Sequence, residues 1–319
     1  MSYNYFTVLN KFFIPQLILL NKSMRRCIKH FNLLIIAIDQ ETINELKNIK
    51  FYNSKVILFD LINEDKDYIR IRNERTIAEF CSTITPYIFK LIFKKYKNIN
   101  HLIYIDTDMF FFKNPEKKIF KFLSSKKSAY ITKHNFDNKS KHLETNNGTF
   151  CVQFNIFKNN KMAKMIITDW TKKCKDWCFY KSHNGMFGDQ KYLEAWLNKF
   201  NNQVYIESDL NFIGAPWNKD IIEINKLHIW HFHSFRIIDI NTVMLAHGYQ
   251  FKPELENYIY NAYINHLKKN KYLFSKEISQ YKIEPLYMRI FKTILNFIKS
   301  LILNRHFNNS HFNLKIRKI

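Results

Sequence analysis

Two aspartates one residue apart close an apolar run, His101-Leu-Ile-Tyr-Ile-Asp106-Thr-Asp108. Unpaired carboxylates are costly inside a protein, so such a pair belongs at a strand end facing a cation or solvent. Hard divalent cations take oxygen ligands, and two neighbouring carboxylates supply both charge and geometry. An Asp-x-Asp alone is often just a solvated turn. Here the following residues, Met109-Phe-Phe-Phe-Lys-Asn-Pro115, are largely apolar, so the chain turns at the acids and re-enters the core. Farther along, His231 and His233 follow the mostly apolar stretch Leu227–Trp230. A strand would present both on one face, although either taken alone is more readily a structural histidine. Asp189, in Gly188-Asp189-Gln190, opens a helical stretch; capping that helix and contacting a substrate compete on even terms.

The elements that must position these groups alternate between short apolar runs and helical spacing. Tyr5–Leu9, Leu33–Ile38, Val56–Phe59 and Leu102–Ile105 read as buried strands, followed by Ser128–Thr132, Cys151–Phe157, Val204–Ile206 and Leu227–His231. Helical patterns cover Pro15–Arg26, Glu41–Ile49, Lys161–Cys178 and Asp189–Phe200. Thr76–Phe93 is a longer one, with a kink or break expected at Pro86. This alternation predicts an α/β fold: a mostly parallel sheet with helices on both faces. Ligands of such sheets bind beyond the carboxyl ends of the strands, where Asp106 and Asp108 lie. Past about residue 240 no strand pattern is expected.

Composition excludes several classes. The 319 residues fit one large domain or two small ones, and 46% hydrophobic residues exclude a disordered chain. The five glycines all lie at or after residue 148 and never cluster as a phosphate loop requires, so G-x-G-x-x-G and Walker A motifs are absent. The formal charge of +23 is compatible with nucleic acid, an anionic membrane or phosphorylated substrates, although AT-rich coding accounts for much of it equally well. Without a zinc finger, RNP motif or basic region with heptads, no nucleic-acid partner is expected. Five cysteines without scaffold spacing suggest a reduced, cytoplasmic chain. Cys174 and Cys178, one helical turn apart, read more readily as packed thiols than as metal ligands. There is no secretory signal pattern and no apolar stretch of spanning length.

The stretch Tyr104-Ile-Asp-Thr-Asp-Met-Phe-Phe-Phe-Lys-Asn-Pro115 resembles the Tyr-Leu-Asp-x-Asp signature of GT-A glycosyltransferases. Four further stretches agree in order and spacing: Arg75-Thr-x-x-Glu79-Phe-Cys-x-Thr83-x-Thr-Pro86, Gly188-Asp-Gln-Lys-Tyr-Leu193, Ala215-Pro-Trp-Asn218 and His231-Phe-His233. Together, over roughly residues 5 to 265, the chain is distantly similar to glycosyltransferase family 8. The resemblance implies a GT-A fold and a metal-dependent transfer of sugar from a nucleotide-sugar donor to a cell-surface glycan acceptor. It implies Asp106, Asp108 and His231 as ligands of Mn²⁺ or Mg²⁺, a choice that the carboxylate/imidazole set suits. Asp189 and Gln190 become the catalytic pair, with retention of anomeric configuration expected. Asp189 as a general base would suit inversion instead. Trp217 becomes a sugar platform, whereas core packing is its plainer role. Asn218 offers the donor both a hydrogen-bond donor and an acceptor. Arg75 would meet the diphosphate or a sugar hydroxyl, a surface ion pair being the alternative. Two departures stand out. Cys151-Val-Gln153 replaces the family's Asn-Ser-Gly, so Asn155 is the substitute sugar contact. No Lys-Pro-Trp follows His231, so Arg236 is the candidate cation for the phosphates. A sugar nucleotidyltransferase and a non-enzymatic membrane-surface protein are the competing classes. The first lacks its glycine-rich loop; the second leaves the acids and histidine unexplained.

The tail has its own pattern. Leu286, Ile290, Ile294, Ile298 and Leu301 recur every three or four residues, broadened by Tyr287, Phe291, Leu295 and Ile302, opposite Arg289, Lys292, Asn296 and Lys299, among which Leu303 blurs the pattern at its end. Tyr281–Ile319 carries eight basic side chains against one acidic. An apolar face with basic flanks suits a helix lying on an anionic membrane, narrowly ahead of one packed on the domain. The expected organisation is a GT-A domain over residues 1–240 and a helical extension over 241–319, peripheral on the cytoplasmic membrane face.

Overall fold

The computed structural model describes residues 2–59, 66–200, 202–239, 241–246, 248–270, 288, 290–291, 294–295 and 316–318. The central sheet is built from β1 (Tyr3–Leu9), β2 (Phe31–Ala37), β3 (Ser54–Leu58), β4 (His101–Ile105), β6 (Ala129–Lys133), β7 (Phe150–Lys158) and β8 (Val204–Ile206), in spatial order β3-β2-β1-β4-β7-β6-β8. A second sheet joins β5 (Met109–Phe111), β10 (Ile229–His231) and β9 (Ile213–Gly214). A third joins β11 (Arg236–Asp239), β12 (Thr242–Met244) and β13 (Ile316–Lys318). The helices are α1 (Ile14–Cys27), α2 (Gln40–Leu46), α3 (Lys66–Glu74), α4 (Ile77–Lys95), α5 (Glu116–Leu123), α6 (Glu144–Asn147), α7 (Lys161–Asp176), α8 (Trp196–Lys199) and α9 (Pro253–Lys269).

In the central sheet β1, β2, β3 and β4 run parallel and β7 alone is reversed; β6 and β8 return to the first direction. The carboxyl ends of β1, β4 and β6 and the amino end of β7 therefore meet at one edge. All five residues of β4 are buried, because both faces of the sheet are covered. Successive side chains go to opposite layers, as strand geometry requires. Phe6, Leu102 and Tyr104 pack with the α4 and α7 residues Phe89 and Trp170, while Tyr5, Ile103 and Ile105 pack with Leu17 of α1 and Ile119 of α5.

Helix α4 begins with a capping box in which Thr76 and Glu79 satisfy each other's backbone N–H, worth about 1 kcal/mol at its start. It then runs through Pro86 as one helix, so the expected break is absent. The helix expected over 189–200 is instead a 3₁₀ segment, Lys191–Ala195, followed by the single turn α8. Leu193 and Trp196 are both fully buried, and a three-residue spacing points both into the core at three residues per turn. Strands do occur past residue 240: β12 pairs antiparallel with β11 and with β13. At three or four residues each, these strands are too short to show periodicity. The hairpin of β11 and β12 straddles position 240. Helix α9 buries Tyr260, Tyr263 and Ile264 in one cluster with Phe232 and Trp230. Phe232 stacks on Tyr263 at 3.6 Å between ring centroids.

Most of the amphipathic stretch 286–302 lies outside the described residues. Of its apolar face, Ile290, Phe291, Ile294 and Leu295 are described; they are helical and exposed. Among the described residues no helix is long and apolar enough to cross a membrane.

Candidate active site

A cavity of about 560 Å³ opens at the edge where β1, β4 and β6 end and β7 begins. Asp106 leaves β4 here, and the turn closes with Met109 N–H on the Asp106 carbonyl at 3.2 Å. The residue between the acids pins the turn. Thr107 Oγ1 donates to the Val8 carbonyl at 3.0 Å and shares a 2.7 Å bond with Thr7 Oγ1, both on β1. Tyr104 OH donates to Asp106 Oδ1 at 2.6 Å. Antiparallel pairing of β5 with β10 sets His231 opposite Met109, and Phe232 N–H donates to the Asp108 carbonyl at 2.9 Å. This register brings His231 Nε2 to 3.2 Å from Asp108 Oδ1 and 3.6 Å from Asp106 Oδ2. Each of the three side chains offers a ligand atom, and those atoms lie within 4.8 Å of one another.

The charges explain the arrangement. Burial, opposed by His231 and reinforced by Asp108, pushes Asp106 up to about 6. Burial works the same way on Asp108, but His231, with His233 and Arg236 behind it, outweighs it and holds that carboxyl down at about 2. Burial would lower His231, and Asp108 and Asp106 raise it instead. The imidazole proton thus answers the carboxylate charge. A divalent cation would supply positive charge to the same two carboxylates and take the imidazole nitrogen as a neutral ligand, so this donor set fits one. His233 also lines the cavity, but burial and the neighbouring His231 push it down to about 3, which leaves it neutral.

No family model matches the chain. It is 23% identical over 282 residues to the uncharacterized protein YfnD of Bacillus subtilis (strain 168), a likeness covering 84% of this chain and 89% of that protein. Among solved structures it is similar to the galactosyltransferase LgtC in complex with donor and acceptor sugar analogues. That match has a TM-score of 0.53 at 9% identity and covers 90% of this chain and 99% of the other. It is likewise similar to the apo structure of the bifunctional glycosyltransferase WbbM, with TM-score 0.51 and 12% identity, over 85% of this chain and 51% of that one. The fold is GT-A.

Within this GT-A framework, Asp189, Gln190, Trp217 and Arg236 line the cavity together with Asp106, Asp108 and His231. Trp170 Nε1 holds the Asp189 carbonyl at 2.9 Å, and Gln190 Nε2 donates to the Asn147 carbonyl at 2.9 Å. Burial, with Cys178 and Asp106 nearby, raises the Asp189 carboxyl well above its usual range. The Trp217 indole donates to the His134 carbonyl at 2.9 Å and presents its ring to His231 and His233 at 5.3 and 5.2 Å between centroids. Arg236 lies over the Phe13 ring and near enough to Asp108 for its charge to matter.

Three sequence candidates are placed elsewhere. Arg75 does not line the cavity: its guanidinium donates to Thr83 Oγ1 and to the carbonyls of Cys174 and Lys175, tying the start of α4 to the end of α7. Asn218 spends its amide internally, accepting from Ala215 N–H at 2.7 Å and donating to the His134 and Ile213 carbonyls. Asn155 lies fully buried in the sheet opposite Tyr104, away from the cavity lining. Sequence reading passed over the cavity wall formed by His134, Phe136, Tyr180 and Tyr249. It also passed over Gln153, whose Oε1 lies 2.9 Å from His231 Nδ1. Nothing local marks these positions; Gln153 drew notice only as a departure from a family pattern.

Proposed function

We propose that the chain is a metal-dependent glycosyltransferase that moves a sugar from a nucleotide-diphosphate donor to a cell-surface glycan, such as lipopolysaccharide or capsule. The observation that carries this reading is the Asp106/Asp108/His231 cluster at the carboxyl-end edge of a GT-A sheet, opening on a cavity lined by Trp217 and Arg236. Mn²⁺, or Mg²⁺, held by the three side chains would neutralise charge on the departing diphosphate. The residues do the rest. Arg236, on the cavity wall, would hold phosphate oxygens. The Trp217 face packs against a sugar ring. Asp189, whose carboxyl burial pushes up, holds a sugar hydroxyl beside Gln190. The late histidine His231 and the Asp189-Gln190 pair favour retention over inversion. The test screens nucleotide sugars for cleavage with and without Mn²⁺. A productive donor is expected only with metal, and NMR of the product should show the anomer retained. Cleavage at the same rate in chelator would sink the metal assignment.

The acceptor is proposed to be membrane-borne. The exposure of Ile290, Phe291 and Ile294 and the eight basic residues of the tail support a peripheral helix on anionic lipid, where each basic group adds about 1 kcal/mol. Such binding must weaken with salt. The full chain is expected to float with anionic liposomes at low salt and less at high salt, whereas a chain ending near Gln280 should not float. Unchanged flotation of that shorter chain would remove the tail from the account.

A further inference from the structure

Gln153 is almost completely buried on β7 and touches two of the three candidate ligand residues. Its backbone carbonyl accepts from Asp106 N–H at 3.1 Å, at the point where β4 gives way to the acidic turn. Its side-chain Oε1 accepts from His231 Nδ1 at 2.9 Å. Its Nε2 donates to Thr132 Oγ1 on the neighbouring strand β6 at 3.4 Å.

The chemistry of imidazole gives this contact a consequence. A neutral ring carries one hydrogen and one lone pair, and a partner on one nitrogen decides which nitrogen has which. A carbonyl oxygen only accepts. With Oε1 on Nδ1, the hydrogen belongs on Nδ1 and the lone pair on Nε2. Nε2 is the nitrogen that faces Asp108 and Asp106. A reversed amide would set an N–H against Nδ1, move the ring hydrogen to Nε2 and block coordination there. The Thr132 hydroxyl ties the other end of the amide to β6. Through its backbone and its side chain, one residue thus fixes the acidic turn and the histidine relative to each other.

We propose that Gln153 is a positioning residue of this site, holding His231 as the Nδ1–H tautomer with Nε2 turned to receive a divalent cation between Asp106 and Asp108. The proposal rests on the metal-dependent reading above. Its test is calorimetric Mn²⁺ titration of the full chain as wild type, Gln153→Leu and Gln153→Glu, with the metal-free unfolding midpoint of each. Loss of an outer partner of a metal-bound histidine typically weakens metal binding about 10- to 100-fold, and that loss is expected for Gln153→Leu. Gln153→Glu keeps an acceptor on Nδ1 and should stay within a few-fold of wild type. That rescue would not follow if the site merely needed a buried amide for packing. Thr132→Val, which removes the tie that holds the amide to β6, should give an intermediate loss and carries the test if Gln153→Leu does not fold. Imidazole ¹⁵N spectra of the protein loaded with diamagnetic Mg²⁺ should show the Nδ1–H pattern for His231 in the wild type and its weakening in Gln153→Leu. Wild type that binds Mn²⁺ while Gln153→Leu binds equally well overturns the proposal alone. Wild type that binds no Mn²⁺ overturns the metal reading and this proposal with it.

Discussion

Asp108 and Asp189 face one cavity and are almost equally buried, at 9% and 5% exposure, yet they are driven in opposite directions. Asp108 sits where paired strands deliver His231 to it, and its carboxyl stays charged. Asp189 follows Gly188, which takes a left-handed φ of +55° that favours glycine, and leads into a 3₁₀ segment. There burial, reinforced by Cys178 and Asp106, pushes its carboxyl up rather than down. Burial alone therefore does not set the charge of an acid. The partner that the fold delivers does.

The largest expected effect breaks the strand-held side. Asp108→Asn should cut transfer by about 10²-fold or more, the scale for removing one strong electrostatic contact to the transition state. Its stability cost has a definite sign. A carboxyl held below its unfolded value contributes stability above that value, about 3.9, and loses it as pH falls toward 2. Metal-free Asp108→Asn should therefore melt below wild type at pH 7 and approach it in acid. Near-normal turnover of this variant in saturating Mn²⁺ would end the comparison.

Asp189→Asn sharpens the loop-held side. The raised carboxyl binds a proton when folded that it releases when unfolded, so stability falls as pH climbs past the unfolded value. An amide, which cannot ionise, should raise the metal-free melting midpoint at neutral pH, with the gain vanishing near pH 4. Because an amide can still hydrogen-bond a sugar hydroxyl, transfer should fall by no more than about 10-fold, with Mn²⁺ affinity unchanged. A lower neutral-pH midpoint would overturn the upward push on the Asp189 carboxyl. The smallest effect separates two arginines. Arg236→Ala should raise the donor KM about 10-fold, as loss of a charged hydrogen bond does. Arg75→Ala should leave that KM alone and lower the melting midpoint by a few degrees. Equal KM effects would return Arg75 to the donor site.

The sequence by itself determined what is local. The unbroken apolar run Leu102–Ile105 marked a doubly covered strand, and the acids directly after Ile105 marked a strand end that faces a cation or solvent. The α/β fold class followed from the alternation of such runs with helical spacing. Only the tertiary structure decided which polar groups were left available. Arg75 spends its guanidinium on carbonyls 99 and 100 residues away, and Asn218 is consumed by the His134 carbonyl 84 residues away. Gln153 reaches His231 across 78 residues. Apolar periodicity is written in neighbouring residues, because one face of a strand or helix must be buried as a unit. A buried hydrogen bond is chosen by whichever donor or acceptor the packed chain brings within 3 Å, and no spacing along the sequence encodes that choice.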